Sequence, residues 1–189
     1  MMQHGGDVIT VLTTDHREIE VMLAELERLR GTDERDRRKD LTEQVIIELV
    51  RHSVAEEAYL YPAARKLIPG GDLLADRDIA EHAEAERLMK ELERTDVGDP
   101  AFDPLLDRFT ATVREHVREE ESRLFPQLVQ YADVEELVSL GRKIQTMKKV
   151  APTRPHPSAP VTPPVNKLLA PGTGLVDRIR DAVTGRGRD

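Results

Sequence analysis

Four histidines of this chain are each followed four residues later by a glutamate: His16 and Glu20, His52 and Glu56, His82 and Glu86, His116 and Glu120. In a helix that spacing puts both side chains on one face, about one turn apart. Imidazole gathered with carboxylate suits a transition cation such as iron, manganese or zinc better than calcium or magnesium. The chain has no cysteine, so neither a thiolate site nor a disulfide frame is available, and a metal must be held by histidine and carboxylate alone.

The face that carries the pairs is the apolar one. Val45, Leu49, His52 and Glu56 step by four, three and four, and Phe109, Val113, His116 and Glu120 do the same. Four imidazoles and four carboxylates therefore point into a core, where unpaired charges would each cost several kcal/mol. A single histidine on an apolar stripe is usually a hydrogen-bonded core residue, and a lone His-x-x-x-Glu is often only a surface pair. Four at symmetric positions call for cations. The other two histidines, His4 and His156, fall in segments with no expected order.

The symmetry is that of an internal repeat. Asp15 to Glu20 matches Glu81 to Glu86 at an offset of 66, and the stretch from His52 to Pro62 matches that from His116 to Pro126 at an offset of 64. The first and third helices are thus alike, as are the second and fourth. A duplicated helical hairpin packs into an up-and-down four-helix bundle. Apolar spacing predicts helices over 8–30, up to about Tyr61, over 72–94, and from Asp99-Pro100 or Asp103-Pro104 to Phe125-Pro126. Asp7 is the expected cap of the first. Asp40 and Glu43 form a capping-box pattern in the second, with Asp33–Asp40 either opening that helix or linking to it, and Pro62 breaks or kinks it. A short fifth helix, roughly 133–148, closes the ordered body of residues 1–150. Charged residues at 34% and aromatics at 3% suit this all-α reading.

Beyond residue 150 the composition changes. A Pro-rich linker, 151–166, leads to a tail, 167–189, that is either a short amphipathic helix docking on something or disordered. The formal charge of −8 is concentrated in residues 1–150, which hold 22 basic and 33 acidic residues. Such a body should repel nucleic acid and anionic membranes. There is no secretory-signal pattern and no long apolar run, so the expected location is cytoplasmic.

The constellation resembles the hemerythrin-like (HHE cation-binding) domain family: a histidine on the first helix, His-x-x-x-Glu on the second, a histidine on the third and His-x-x-x-Glu on the fourth. The resemblance covers about residues 7–148. It implies two iron ions with an oxo or hydroxo bridge, His16 and His52 on one, His82 and His116 on the other, and Glu56 and Glu120 bridging. Ferritin-like di-iron bundles use Glu-x-x-His instead, and the residues three before each histidine here are Thr13, Leu49, Ile79 and Val113.

Oxygen-carrying hemerythrins offer a second histidine on the third helix, where this chain offers Glu86, and Glu20 stands ready on the first. With Glu86 alone bound, one position stays open; with both bound, none does until a carboxylate swings away. Added negative charge favours the ferric state. The expected ligands are therefore peroxide, oxygen or nitric oxide, handled in catalase-like or peroxidase-like detoxification or in redox sensing. The alternative is a non-enzymatic iron or oxygen sensor acting through a partner protein, reached by way of the C-terminal tail. Tyr59 and Tyr61 lie beside the second pair, as core residues or as a ligand or hydrogen-bond donor.

Overall fold

A computed structural model describes residues 6–157 together with Thr173, Gly174, Asp177 and Asp181. Within residues 6–157 seven α-helical segments follow in chain order: α1 Val8–Arg28, α2 Arg35–Ala55, α3 Tyr61–Leu67, α4 Gly71–Leu92, α5 Phe102–Glu119, α6 Phe125–Tyr131 and α7 Val134–Val150. α2 and α3 are joined by a wide π-helical turn, Glu56–Leu60, and α5 and α6 by another, Glu120–Leu124. Each pair is one continuous helix, so the body has four long helices and a shorter fifth.

The caps follow from local chemistry. The Asp7 carboxylate accepts the Thr10 N–H at 2.9 Å, and Asp133 accepts that of Glu136 at 2.7 Å, each satisfying an orphan donor of a first turn. α2 begins at Arg35, so the charged run opens the helix and Asp40 lies inside it rather than capping it. Its arginines and lysine are good helix formers, and they extend the element back to the loop after Gly31.

Pro62 does not end its helix. Proline has no N–H to donate, and in an ordinary α-helix its ring would meet the carbonyl four residues back. Here the turn before it widens: the Tyr61 N–H donates to the Glu56 carbonyl and, in the repeat, the Phe125 N–H donates to that of Glu120. The extra residue in each turn lets the helix continue past Pro62 and Pro126.

Two apolar clusters sandwich a polar layer. One gathers Leu12, Leu60, Tyr61, Leu124, Phe125 and Ile144; the other gathers Ile19, Leu23, Ile46, Leu88, Phe102 and Phe109. The histidines lie between them, His16 between Leu12 and Ile19 along α1, for example. α7 packs across α1 and α2. At Gly141 a side chain would meet the Gly6 carbonyl at 2.4 Å, so only glycine permits this approach to the start of α1.

The chain beyond α7 turns back onto the body. Asp177 accepts the N–H groups of Thr153 and Arg154, both at 3.2 Å, and Asp181 accepts the Thr153 hydroxyl at 2.5 Å and the Arg154 guanidinium at 2.6 Å. Gly174 lies so close to the Val150 carbonyl that a Cβ would sit 2.2 Å from it. Against expectation, His156 has a defined place, with its ring 2.9 Å from Asp177. His4 and most of the 167–189 tail lie outside the described residues.

Candidate metal centre

All four histidines are buried in the middle of the bundle, and so are Glu56 and Glu120, each with no exposed surface. The imidazoles meet in pairs, Nε2 to Nε2: His16 and His52 at 3.2 Å, His82 and His116 at 3.0 Å. Glu56 spans the pairs, with Oε1 3.0 Å from Nε2 of His52 and Oε2 3.3 Å from Nε2 of His82. Glu120 crosses the other way, with Oε2 3.4 Å from His16 and 3.8 Å from His116.

The opposite ring nitrogens are all engaged. Nδ1 of His16 lies 3.0 Å from Glu121, that of His52 3.3 Å from Asp15, that of His82 3.1 Å from Glu57 and that of His116 3.1 Å from Glu81. An ionised carboxylate only accepts, so each Nδ1 is the protonated donor and each Nε2 presents a lone pair inward. These four acids lie next to a ligand-type residue in sequence. Asp15 and Glu81 precede histidines; Glu57 and Glu121 follow glutamates. The wide turns make the second arrangement possible, because they let two successive glutamates face inward.

Lone pairs of two imidazoles cannot rest 3.0–3.2 Å apart, beside carboxylates, without positive charge between them. Both oxygens of Glu56 and Oε2 of Glu120 are buried and have no hydrogen-bond donor. Orphaned acceptors of this kind are strongly unfavourable in an apolar interior. In the metal-free chain protons must supply the charge. Burial alone would lower the pKa of His52, but Glu56, Asp15 and Glu120 outweigh it and raise it to about 9. His82 is likewise held well above the usual range, against its burial, by Glu56 and Glu57. Glu56 is held well below the carboxylate range by His52 and His82, although its burial acts the other way. A metal ion would replace those protons. The donor atoms of His16, His52, Glu56 and Glu120 lie within 4.8 Å of one another, as do those of Glu56, His82 and His116, so the residues fit metal ions.

The hemerythrin HHE cation-binding domain model matches residues 7–128. The chain belongs to that family. An uncharacterized hemerythrin-like protein of Schizosaccharomyces pombe is 28% identical over 168 residues, 88% of this chain and 81% of that one. A DNA nickase of Nostoc sp. is 29% identical over 115 residues, 61% of this chain but only 31% of the nickase. The crystal structure of a hemerythrin HHE cation-binding domain-containing protein from Mycobacterium kansasii superposes with a TM-score of 0.66 at 23% identity. It covers 76% of this chain and 86% of that one, a likeness of fold.

Two of the eight residues expected at this hemerythrin-like centre are turned elsewhere. Glu20 is about half exposed and is gripped by Arg114 at 2.7 Å; Arg114 also holds Glu27. Position i+4 places Glu20 on the same broad face as His16, but the cation on α5 draws it to the rim. Glu86 is partly buried, and its Oε1 accepts the His156 N–H at 2.7 Å. Burial raises its pKa, and the His156 N–H only partly offsets that.

Two other residues join the hemerythrin-like centre. The Tyr61 hydroxyl donates to Oε1 of Glu120 at 3.1 Å and lies 3.0 Å from Nε2 of His82. Burial and the surrounding carboxylates raise its pKa well above the usual value, so it stays protonated. Asp78 is buried, with donor atoms near Glu81 and His116 and one oxygen unpartnered. Burial first, then Glu120 and Glu81, push it up to about 8. The repeat carried a signal for both: Asp78 stands where an offset of 66 gives Leu12, and Tyr61 where an offset of 64 gives Phe125.

Proposed function

We propose that this domain holds two iron ions, His16 and His52 on one and His82 and His116 on the other, bridged by Glu56 and Glu120. The carrying observation is the set of buried, donor-less oxygens on Glu56 and Glu120, lying between two pairs of inward-facing Nε2 atoms. Iron supplies the electron exchange with hydrogen peroxide, oxygen or nitric oxide when bound. The residues around it bind, orient and exclude water. Glu57, Glu81, Glu121 and Asp15 fix the ring tautomers, and Phe125 stacks parallel to His16 at 5.8 Å, closing that end with an apolar face.

Glu20 and Glu86 are turned away from the histidines, so neither would compete with a small ligand for a bound metal. Tyr61 is the one neutral proton donor among the described residues that touches both a histidine Nε2 and a bridging glutamate. The negative charge that favours the ferric state comes here from Glu56, Glu120 and the acids behind the rings, Asp15, Glu57, Glu81 and Glu121, and it supports peroxide or gas turnover over reversible carriage. Metal analysis should give about two iron atoms per chain, and added peroxide should release oxygen in a manner lost in His116→Ala. A reduced protein whose oxygen adduct is stable and cycles on degassing would contradict the turnover reading.

The folded-back chain after α7 favours a second reading, a sensor. The backbone of His156 holds Glu86, one turn from His82, so a change at the centre can reach the C-terminal region and a partner. Metal-dependent protease protection of residues 151–157, without peroxide turnover, would select that reading.

A further inference from the structure

We propose that Lys148, on the helix appended to the bundle, is a positioning residue for His52: it holds Asp15, and through Asp15 sets how strongly His52 donates to a metal. This deepens the metal-binding reading above and rests on it. α7 contributes no ligand. Its Lys148 Nζ nevertheless lies 2.6 Å from Oδ1 of Asp15, whose Oδ2 faces Nδ1 of His52 at 3.3 Å. Lysine and imidazole thus draw on two oxygens of one buried carboxylate.

The other three backing acids are treated differently. Glu121 is paired with Arg17 at 2.7 Å, but that arginine is 61% exposed. Glu81 is paired with Arg77 at 3.0 Å, an arginine 42% exposed and shared with Glu119. No Lys or Arg among the described residues lies within ion-pair distance of Glu57; its charged neighbour is Glu86, whose pKa it helps to raise. Lys148 is only 18% exposed and Asp15 11%, so water and salt screen this pair least. The negative charge behind His52 is therefore the most neutralised of the four, and that behind His82 the least.

An acid with its charge unopposed pulls harder on the Nδ1 proton and makes the imidazole a stronger donor. The two ends of the centre are consequently unequal, and Lys148 maintains part of the difference. Lys148 also reaches Glu48 at 3.8 Å, too far to compete with the Asp15 contact. The cleft of about 450 Å³ between α1 and α7 opens beside the pair, lined by Thr10, Thr14, Gln145 and Lys149. A substitution at Lys148 can therefore be accommodated without disturbing the core.

Lys148→Met keeps the apolar stem and removes the charge. In the iron-loaded full chain it should leave iron content unchanged and lower the midpoint potential. The ferric preference should rise about threefold, less than the roughly 10–100-fold typical of partners touching a ligand directly. Lys148→Arg should restore the wild-type potential, and Lys148→Met should have no further effect in an Asp15→Asn background. In the metal-free chain the His52 Nδ1 proton should move downfield in Lys148→Met by NMR, and Lys148→Gln should repeat both effects. An unchanged potential with iron retained, an unmoved Nδ1 resonance, or an equal shift in the Asp15→Asn background would each overturn the proposal. The NMR arm tests Lys148 even if the wild-type chain takes up no iron, an outcome that would refute the iron reading instead.

Discussion

Tyr61 and Phe125 occupy equivalent places, each directly after a wide turn and before a proline, but only Tyr61 brings a hydroxyl to the histidines. Phe125 stacks on His16, while Tyr61 tilts against His82 and donates to Glu120. Tyr61→Phe makes the two halves alike. It should retain metal but lower the stability of the metal-free chain by about 1 kcal/mol, since Oε1 of Glu120 loses its donor. Urea midpoints with chelator present would measure the loss; an unchanged midpoint would show that the hydroxyl is not a net contributor.

Removal of a ligand histidine acts on one end of the proposed pair. His52→Ala or His116→Ala should halve or abolish bound iron, because each takes away one of the two imidazoles at its end and leaves a bridging glutamate unsupported. Metal analysis of purified variants decides this. Full iron content with an unaltered absorption spectrum in both would end the assignment.

The metal-free chain should become less stable as the pH rises from about 6 to 9. His52 is raised from 6.5 to about 9 in the fold, so its contribution is complete below 6.5 and disappears on passing 9. Asp78, raised from 3.8 to about 8, acts in the same direction, because the folded chain keeps a proton that the unfolded chain loses. The depressed Glu56 acts oppositely, and only in acid. A bound metal would take the place of the histidine protons, so loading should remove the His52 part of the decline and flatten the profile. Denaturation midpoints across this range, with and without chelator, provide the check; a metal-free midpoint that rises with pH would contradict it.

Glu20→Gln should leave metal content unchanged and cost less than about 1 kcal/mol, as expected for an exposed pair with Arg114. Truncation after Ala151 should also spare metal binding, while it takes from Glu86 its His156 donor and from Glu93 its Arg154 partner. Metal loss on truncation would show that the C-terminal segment helps to hold the site together.

The four pairs, their helices and the duplication were legible because histidine type, spacing and order recur on the apolar stripe. The destination of Glu20 was not, since a separation of four fixes a face only to within a broad arc and says nothing of Arg114 on another helix. The backing acids were visible as neighbours of the ligand-type residues, but which acid serves which ring depends on how the helices meet. His52 takes its acid from α1 and His16 takes its acid from the turn after α5. The docking of Thr153 to His156 rests on Asp177 and Asp181, a pair with ordinary helical spacing and no distinctive motif.

The wide turns at Glu56–Leu60 and Glu120–Leu124 give the helices of His52 and His116 a built-in change of phase. Helical periodicity counted from Val45 does not carry through to Leu67, and the same break falls between Phe109 and Tyr131. Deleting one residue within a turn, Ala58 or Ser122, would remove the extra residue and close the turn to an ordinary α-helical one. Pro62 or Pro126 would then meet the carbonyl four residues back, and the turn would lose the width that lets two successive glutamates face inward. Length across these ten residues is therefore as binding a constraint on the chain as the identity of the histidines and glutamates they position.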